Sequence, residues 1–246
     1  KSIQTSIIIN DDISKELDAM LESFQEDTHF IIISDENIIN HHREFIDVAF
    51  QYHKHDVIVS MIGERAKDIS NIERIYSELL DIGCNRGTCL IAFGGGVIGD
   101  ITGFISATFM RGIRYVNIPT SLLAMVDSSI GGKTGINLPQ GKNLIGAMYH
   151  PCKTIITPSF LTTLPIREYY SGMAEIIKYG LILDKNLFKT IKDNFDELLK
   201  DNTSKLMIKI IIRCIELKSM IVQQDEEDRN IRNILNFGHT IGHALE

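Results

Sequence analysis

Four stretches of this chain carry residue types at spacings that could do chemistry. The first is Gly94-Gly95-Gly96-Val97-Ile98-Gly99-Asp100, which follows the apolar run Cys89–Phe93 and precedes Ile101–Phe109. It reads as strand, glycine turn and helix. Without β-carbons such a turn lets backbone N–H groups approach a pyrophosphate, and the helix N-terminus adds partial positive charge. The spacing fits G-x-G-x-x-G, although glycines that only make a tight turn fit it equally well. The next strand, Tyr115-Val116-Asn117-Ile118, carries no acid at its end, so a nucleotide's ribose must be held from upstream. Glu64 and Lys67, three apart after the apolar run 56–60, are placed to do this, and they equally suit a solvated helix start.

The second stretch is Pro119-Thr120-Ser121, then Val126-Asp127-Ser128-Ser129-Ile130-Gly131-Gly132-Lys133-Thr134-Gly135-Ile136-Asn137, then Gly141-Lys142-Asn143. Gly131–Thr134 resembles the tail of a P-loop, but the upstream glycine at the required spacing is absent. A segment rich in glycine and lysine either cradles a phosphate or carboxylate through N–H and ammonium donors or is a structural series of turns. The third stretch places Glu175 and Lys178 at i and i+3 on one helix face, as a buried, paired carboxylate or an ordinary intrahelical ion pair. The fourth is Asn236-Phe237-Gly238-His239-Thr240-Ile241-Gly242-His243. His239 and His243, at i and i+4, can face one metal or one substrate. Thr240 stands where a zincin needs glutamate, which disfavours a metalloprotease.

These groups need a scaffold. Residues 6–10, 30–34 and 56–60 read as short buried strands, as does Cys89–Phe93. Ile13, Leu17, Met20, Leu21 and Phe24 recur at helical spacing between the first two, and Val48 and Phe50 belong to a second amphipathic segment. Ile72, Ile75, Tyr76, Leu79 and Leu80 mark a third helix, with Gly83 as its C-cap. Strand and helix in alternation imply a mostly parallel sheet with helices on both faces. After Pro151 a last strand, Thr154–Thr157, gives way to helices near 165–183, 185–200, 203–224 and 231–246. The expected architecture is a Rossmann-like α/β N-terminal domain, 1–152, then an all-α C-terminal domain, 153–246, that reads as truncated. The cleft between them is where a ligand would sit.

Composition narrows the partners. A net charge of −7 over 246 residues argues against general binding to nucleic acid or a membrane surface. Cations nevertheless gather in or near the glycine-rich and histidine segments: Arg111, Lys133, Lys142, Lys178, Lys218 and Arg232. That points to a small anionic substrate rather than a polyanion. Cys84, Cys89, Cys152 and Cys214 form no C-x-x-C pair and read as free thiols of a reducing compartment, the cytoplasm. No apolar run approaches the length of a membrane span and no signal peptide opens the chain. The missing initial Met and the helical pattern running into Glu246 make both ends look trimmed.

Taken in order, these motifs resemble the 3-dehydroquinate synthases of the sugar-phosphate cyclase superfamily. The resemblance runs through Gly94–Asp100, Arg111-Gly112, Pro119–Ala124, Val126–Lys133, Gly141-Lys142-Asn143, Gly172-Met173-Ala174-Glu175 and Asn236–His243, and loosely before residue 60. It implies a lyase, dependent on NAD and metal, that converts a seven-carbon keto-acid phosphate into 3-dehydroquinate and phosphate. NAD would take a hydride and return it in one turnover. The transient ketone would acidify the neighbouring C–H and let phosphate leave, before reduction, ring opening and aldol closure.

Carried over by position, the resemblance assigns Glu64 and Lys67 to the NAD ribose. Gly95, Gly96, Val97, Ile98, Gly99 and Asp100 take the pyrophosphate turn, and Thr120, Ser121, Phe160, Leu161, Thr162 and Thr163 complete the NAD site. Lys133, Lys142 and Asn143 would bridge cofactor and substrate. Glu175 and His239 would be metal ligands, for zinc or else cobalt. Arg111, Lys178, Lys218, Arg232, Asn236 and His243 would bind carboxylate and phosphate or relay protons, and Asp127 would position substrate. A homodimer is the family expectation. The third metal ligand of the family, a histidine, falls beyond Glu246, and Asp228, Asn230 and Asn117 replace the usual Glu, Gly and Gln. Two other readings are a cyclase acting on a neutral sugar phosphate, which the number of cations disfavours, and a noncatalytic NAD-binding module.

Overall fold

A computed structural model of the chain describes residues 5–225, 228 and 230–238. Six apolar runs form one parallel sheet: β1 (Ser6–Ile9), β2 (Phe30–Asp35), β3 (His55–Ser60), β4 (Cys89–Gly94), β5 (Arg114–Pro119) and, following an antiparallel hairpin, β8 (Lys153–Ile156). Their order across the sheet is β1-β8-β5-β4-β2-β3. The central strands are apolar on both faces, as a sheet covered on both sides requires; Phe30, Ile31, Ile32 and Ile33 are all buried.

Helices α1 (Ser14–Glu22) and α2 (Glu36–Ala49) send Leu17, Met20, Leu21, Ile39 and Ile46 into the core on one face. Helices α3 (Ile69–Asp81) and α4 (Gly96–Thr108) send Ile72, Ile75, Leu79, Ile98 and Ile101 into the core on the other. The expected glycine cap of α3 is present: Gly83 has φ +82°, the left-handed backbone that ends a helix at little cost in glycine. Consecutive connections therefore leave β2 and β4, which are neighbours, for opposite faces. That opens a crevice at the carboxyl ends of these two strands, the topological switch point of an open α/β sheet.

Beyond β8 the chain is helical: α5 (Ile166–Ile182), α6 (Lys185–Asp193), α7 (Phe195–Lys200) and α8 (Lys205–Gln224). The single helix expected over 185–200 is two, divided at Asn194, which leaves helical dihedrals at φ −123° and ψ 20°. Of the helix expected over 231–246, Ile231–Asn236 is a 3₁₀ turn and 239–246 lie outside the described residues. The glycine-rich segment contains a two-stranded antiparallel hairpin, β6 (Lys133–Leu138) and β7 (Gly141–Met148), which the sequence reading did not anticipate. Among the described residues no helix is long and apolar enough to cross a membrane.

Candidate active site

The turn between β4 and α4 is glycine for reasons of space. Gly95, the N-cap, has an extended backbone at φ −73° and ψ −173°, open to any residue. A β-carbon on Gly94, however, would lie 2.7 Å from Ile98, and one on Gly96 would lie 2.7 Å from Ser128 Oγ. No side chain caps α4, so its first N–H groups, beginning with Gly96, Val97 and Ile98, carry the unsatisfied donor capacity of a helix start. Thr120 N donates to Gly94 O at 2.9 Å, and Ser121 Oγ accepts from Ala124 N, holding the segment after β5 against the turn.

Lys67, in the 3₁₀ turn Gly63–Lys67, is buried and donates to Asp100 Oδ2 at 2.6 Å and Asn143 Oδ1 at 2.8 Å. One ammonium thus joins the segment after β3, the first turn of α4 and the hairpin. Burial pushes the Asp100 carboxyl up, against the opposing pull of Lys67. Glu64 Oε1 accepts from Asn137 Nδ2 at 2.8 Å, a second tie to the hairpin. Gly99 N closes the first helical bond to Gly95 O at 3.1 Å.

A cavity of about 610 Å³ opens beside this network. Asp127, Lys133, Lys178, Lys218, Arg232, Asn236, Asp100 and Asn143 all line it, so residues up to 136 positions apart in sequence meet at one place. Asp127 lies in the π-helical turn Ala124–Ser128 and is the hub. It accepts from the Tyr179 hydroxyl and pairs with Lys218 Nζ at 2.9 Å; the same ammonium donates to the Asp127 carbonyl at 2.7 Å. Burial alone would raise the Asp127 carboxyl, but the Lys218 ammonium and these hydrogen bonds bring it down to about 2. Burial lowers the Lys218 ammonium in turn, partly offset by Asp127. Lys178 pairs with Glu175, Lys133 with Asp228, and Arg232 is buried near Gly131 O.

Several predicted residues do not line this cavity. Arg111 follows the far end of α4 in a left-handed turn, φ +68°, and does not line the cavity. Lys142 is exposed on β7 and does not line it either. Phe160 and Leu161 are core side chains, Thr162 Oγ1 donates to Ser159 O, and Thr163 Oγ1 meets His42. The proposed metal ligand His239, like His243, lies outside the described residues. Among the described residues no group of three His, Cys, Asp or Glu side chains could hold a metal ion, so the described donors do not make a metal site.

Two residues passed over in the sequence belong here. Asp35 ends β2, which pairs with β4 on the side away from β5, and its side chain caps α2 by accepting from Ile38 N at 3.2 Å. It was missed because β2 precedes the glycine turn in sequence and only the sheet order makes them neighbours. Ser128 lines the cavity, its Oγ buried without a hydrogen-bond partner, 2.7 Å from where a β-carbon on Gly96 would lie. An orphaned hydroxyl over an uncapped helix start fits a bound pyrophosphate.

A glycine turn at the switch point, facing a cavity with four cationic side chains in its lining, defines an α/β protein with the layout of dinucleotide-binding folds. Family models place it more narrowly. Residues 57–171 match the N-terminal part of 3-dehydroquinate synthase and 172–246 its C-terminal part. The chain belongs to the 3-dehydroquinate synthase family. It is 46% identical to 3-dehydroquinate synthase of Rippkaea orientalis across 94% of its own length, and it spans 64% of that relative. Among solved structures it resembles the 2-epi-5-epi-valiolone synthase ValA from Streptomyces hygroscopicus subsp. jinggangensis 5008, solved with NAD+ and Zn2+. There the TM-score is 0.91 at 25% identity, over 100% of this chain and 69% of that one. It also resembles 2-deoxy-scyllo-inosose synthase, solved with carbaglucose-6-phosphate, NAD+ and Co2+, with TM-score 0.84 at 28% identity, over 97% of this chain and 66% of that one.

Proposed function

We propose that the chain carries the 3-dehydroquinate synthase reaction, conversion of 3-deoxy-D-arabino-heptulosonate 7-phosphate to 3-dehydroquinate and phosphate, with NAD and a divalent metal as cofactors. One observation carries the reading: Asp127, Lys133, Lys178, Lys218, Arg232 and Asn236, drawn from separate motifs, line one cavity beside the glycine turn. The names of the relatives support it, as do the NAD+ and metal ions bound in the solved cyclases. Cytoplasmic location and a homodimer complete the proposal.

The chemistry that bound NAD would supply is hydride transfer from a substrate carbinol and back. The open start of α4 and the Ser121 and Ser128 hydroxyls would hold its pyrophosphate, with Asp35, Glu64 and Lys67 toward the ribose. Lys133, Lys178 and Arg232 would hold carboxylate and phosphate, the guanidinium by paired N–H donors. Asp127, kept ionised by Lys218, accepts hydrogen bonds and orients a substrate hydroxyl. Lys218, whose proton is loosened by burial, is placed to pass one on. The proton of the C–H next to the resulting carbonyl would pass to the departing phosphate as its C–O bond breaks, and Lys133, Lys178 and Arg232 would hold the inorganic phosphate released.

The likeness to ValA favours, as a second reading, a cyclase acting on a neutral sugar phosphate. Incubation with NAD, divalent metal and either 3-deoxy-D-arabino-heptulosonate 7-phosphate or sedoheptulose 7-phosphate separates the two. Phosphate release from the acid alone, stopped by a chelator, is the expected result. Release from the neutral sugar alone supports the second reading. Bound NAD without release from either leaves a noncatalytic NAD-binding module.

A further inference from the structure

Two turns rest on one imidazole: the glycine turn after β4, and Pro158–Thr163, which holds the residues Phe160 to Thr163 that the resemblance assigns to NAD. His42 lies in α2 where that helix departs from helical dihedrals, at φ −127° and ψ 20°. Its Nε2 is 2.9 Å from Thr163 Oγ1. The Thr163 hydroxyl donates to Phe160 O at 3.2 Å, which spends its proton. The hydrogen between His42 and Thr163 therefore belongs to Nε2, and the histidine is the donor.

The same ring packs edge-on against Phe93, with centroids 5.9 Å apart, and against Phe160, at 5.1 Å. Phe93 immediately precedes Gly94, and Phe160 lies within the 158–163 turn. The two phenyl rings contact each other at 5.3 Å, and Phe45, one helical turn after His42, stacks on the first and meets the edge of the second. Helix α2 thus grips the roots of both turns with two side chains. Only His42 adds a directed bond. Its burial, with the nearby His41, lowers its proton affinity and keeps the imidazole neutral near pH 7.

We propose that His42 is a positioning residue for the dinucleotide, its imidazole fixing the 158–163 turn against the glycine turn so that both are set before the cofactor arrives. The inference rests on the reading of these turns as an NAD site. A leucine fills similar space without the bond; a glutamine can reach Thr163 with an amide N–H.

The test is calorimetric titration of NAD into the full 246-residue chain and its variants, with melting temperatures alongside. Wild type binds NAD. His42→Leu weakens binding about tenfold, the scale of one lost hydrogen bond to a preset loop. Thr163→Val weakens it equally, the double variant adds nothing further, and His42→Gln recovers most of the affinity at an unchanged melting temperature. Wild type that binds NAD while His42→Leu binds it equally well overturns the proposal and leaves the NAD site standing. Loss in His42→Leu that glutamine does not recover and Thr163→Val does not reproduce also overturns it, since the ring then acts only by packing. Wild type that binds no NAD overturns both. If the leucine variant does not fold, Thr163→Val and His42→Gln decide by the same criteria.

Discussion

Gly96 has no room for a methyl group. A β-carbon there would sit 2.7 Å from Ser128 Oγ and 3.3 Å from Ser128 Cβ, closer than packed atoms tolerate. Gly96→Ala should therefore cost about 1–3 kcal/mol through overpacking and weaken NAD binding, both readable from urea midpoints and calorimetry. Adding Ser128→Gly should restore much of the stability, because it removes the opposing atoms; no recovery in the double variant refutes the steric account. Asp127 makes a different kind of demand. It is the acceptor for Tyr179 and Lys218, and Asp127→Asn leaves a buried ammonium without its counter-charge. The expected loss is about 3 kcal/mol. Because the folded carboxyl is lowered to about 2 from 3.8, its contribution is complete above about pH 4 and disappears as pH falls through about 2. Urea midpoints of wild type should drop across that window more steeply than those of Asp127→Asn. Parallel curves would show that the charge of Asp127 does not matter to stability.

At the scale of elements, α5 positions Lys178 and Tyr179 by lying directly on the segment that leads to Asp127. Gly172 is the contact: a β-carbon would meet Leu122 Cβ at 2.6 Å and Leu123 N at 2.7 Å. Gly172→Ala should push helix from turn, lowering the urea midpoint and weakening phosphate binding together. Gly180→Ala makes a useful contrast. Its methyl would strike the Phe188 backbone in α6 at 2.9 Å, away from the cavity, and should lower stability while sparing phosphate affinity. Equal effects on phosphate binding would refute the distinction. The six parallel strands were legible because unbroken apolar runs such as Phe30–Ile33 admit little else, and helices such as α3 were marked by their spacing and glycine cap. The hairpin was not, since its glycines mimic an anion loop. Gly146 is there because a β-carbon would lie 2.2 Å from Thr134 O across the ladder. In the site, motif order pointed to Lys133, Lys178 and Lys218, but pairing was beyond reach. That Lys67 is spent on Asp100 and Asn143, or that Asp35 neighbours the glycine turn, depends on strand order, which local sequence does not encode.

Across the whole molecule, the cavity draws its cations from separate elements. Lys133 comes from the hairpin, Lys178 from α5, Lys218 from α8 and Arg232 from the 3₁₀ turn that follows. Lys133 faces Asp228, Lys178 faces Glu175 and Lys218 faces Asp127. An incoming anion must compete with partners whose strength differs. Lys133 is half exposed, so its pair with Asp228 is the weakest of the three to keep and the first to exchange. Lys218 is buried against Asp127 and should stay. A phosphate that takes Lys133, Lys178 and Arg232 would then tie hairpin and helices through one ligand, and binding becomes stability by mass action. At a hundredfold excess over Kd the gain is about 2.7 kcal/mol, which raises Tm by roughly 5–10 °C for a chain of this size. Calorimetric scans with inorganic phosphate should show that rise in wild type and little of it in Lys178→Met, while NAD still shifts both. A Tm that responds to NAD but not to saturating phosphate would place the anion elsewhere and separate the glycine turn from the cation-lined cavity.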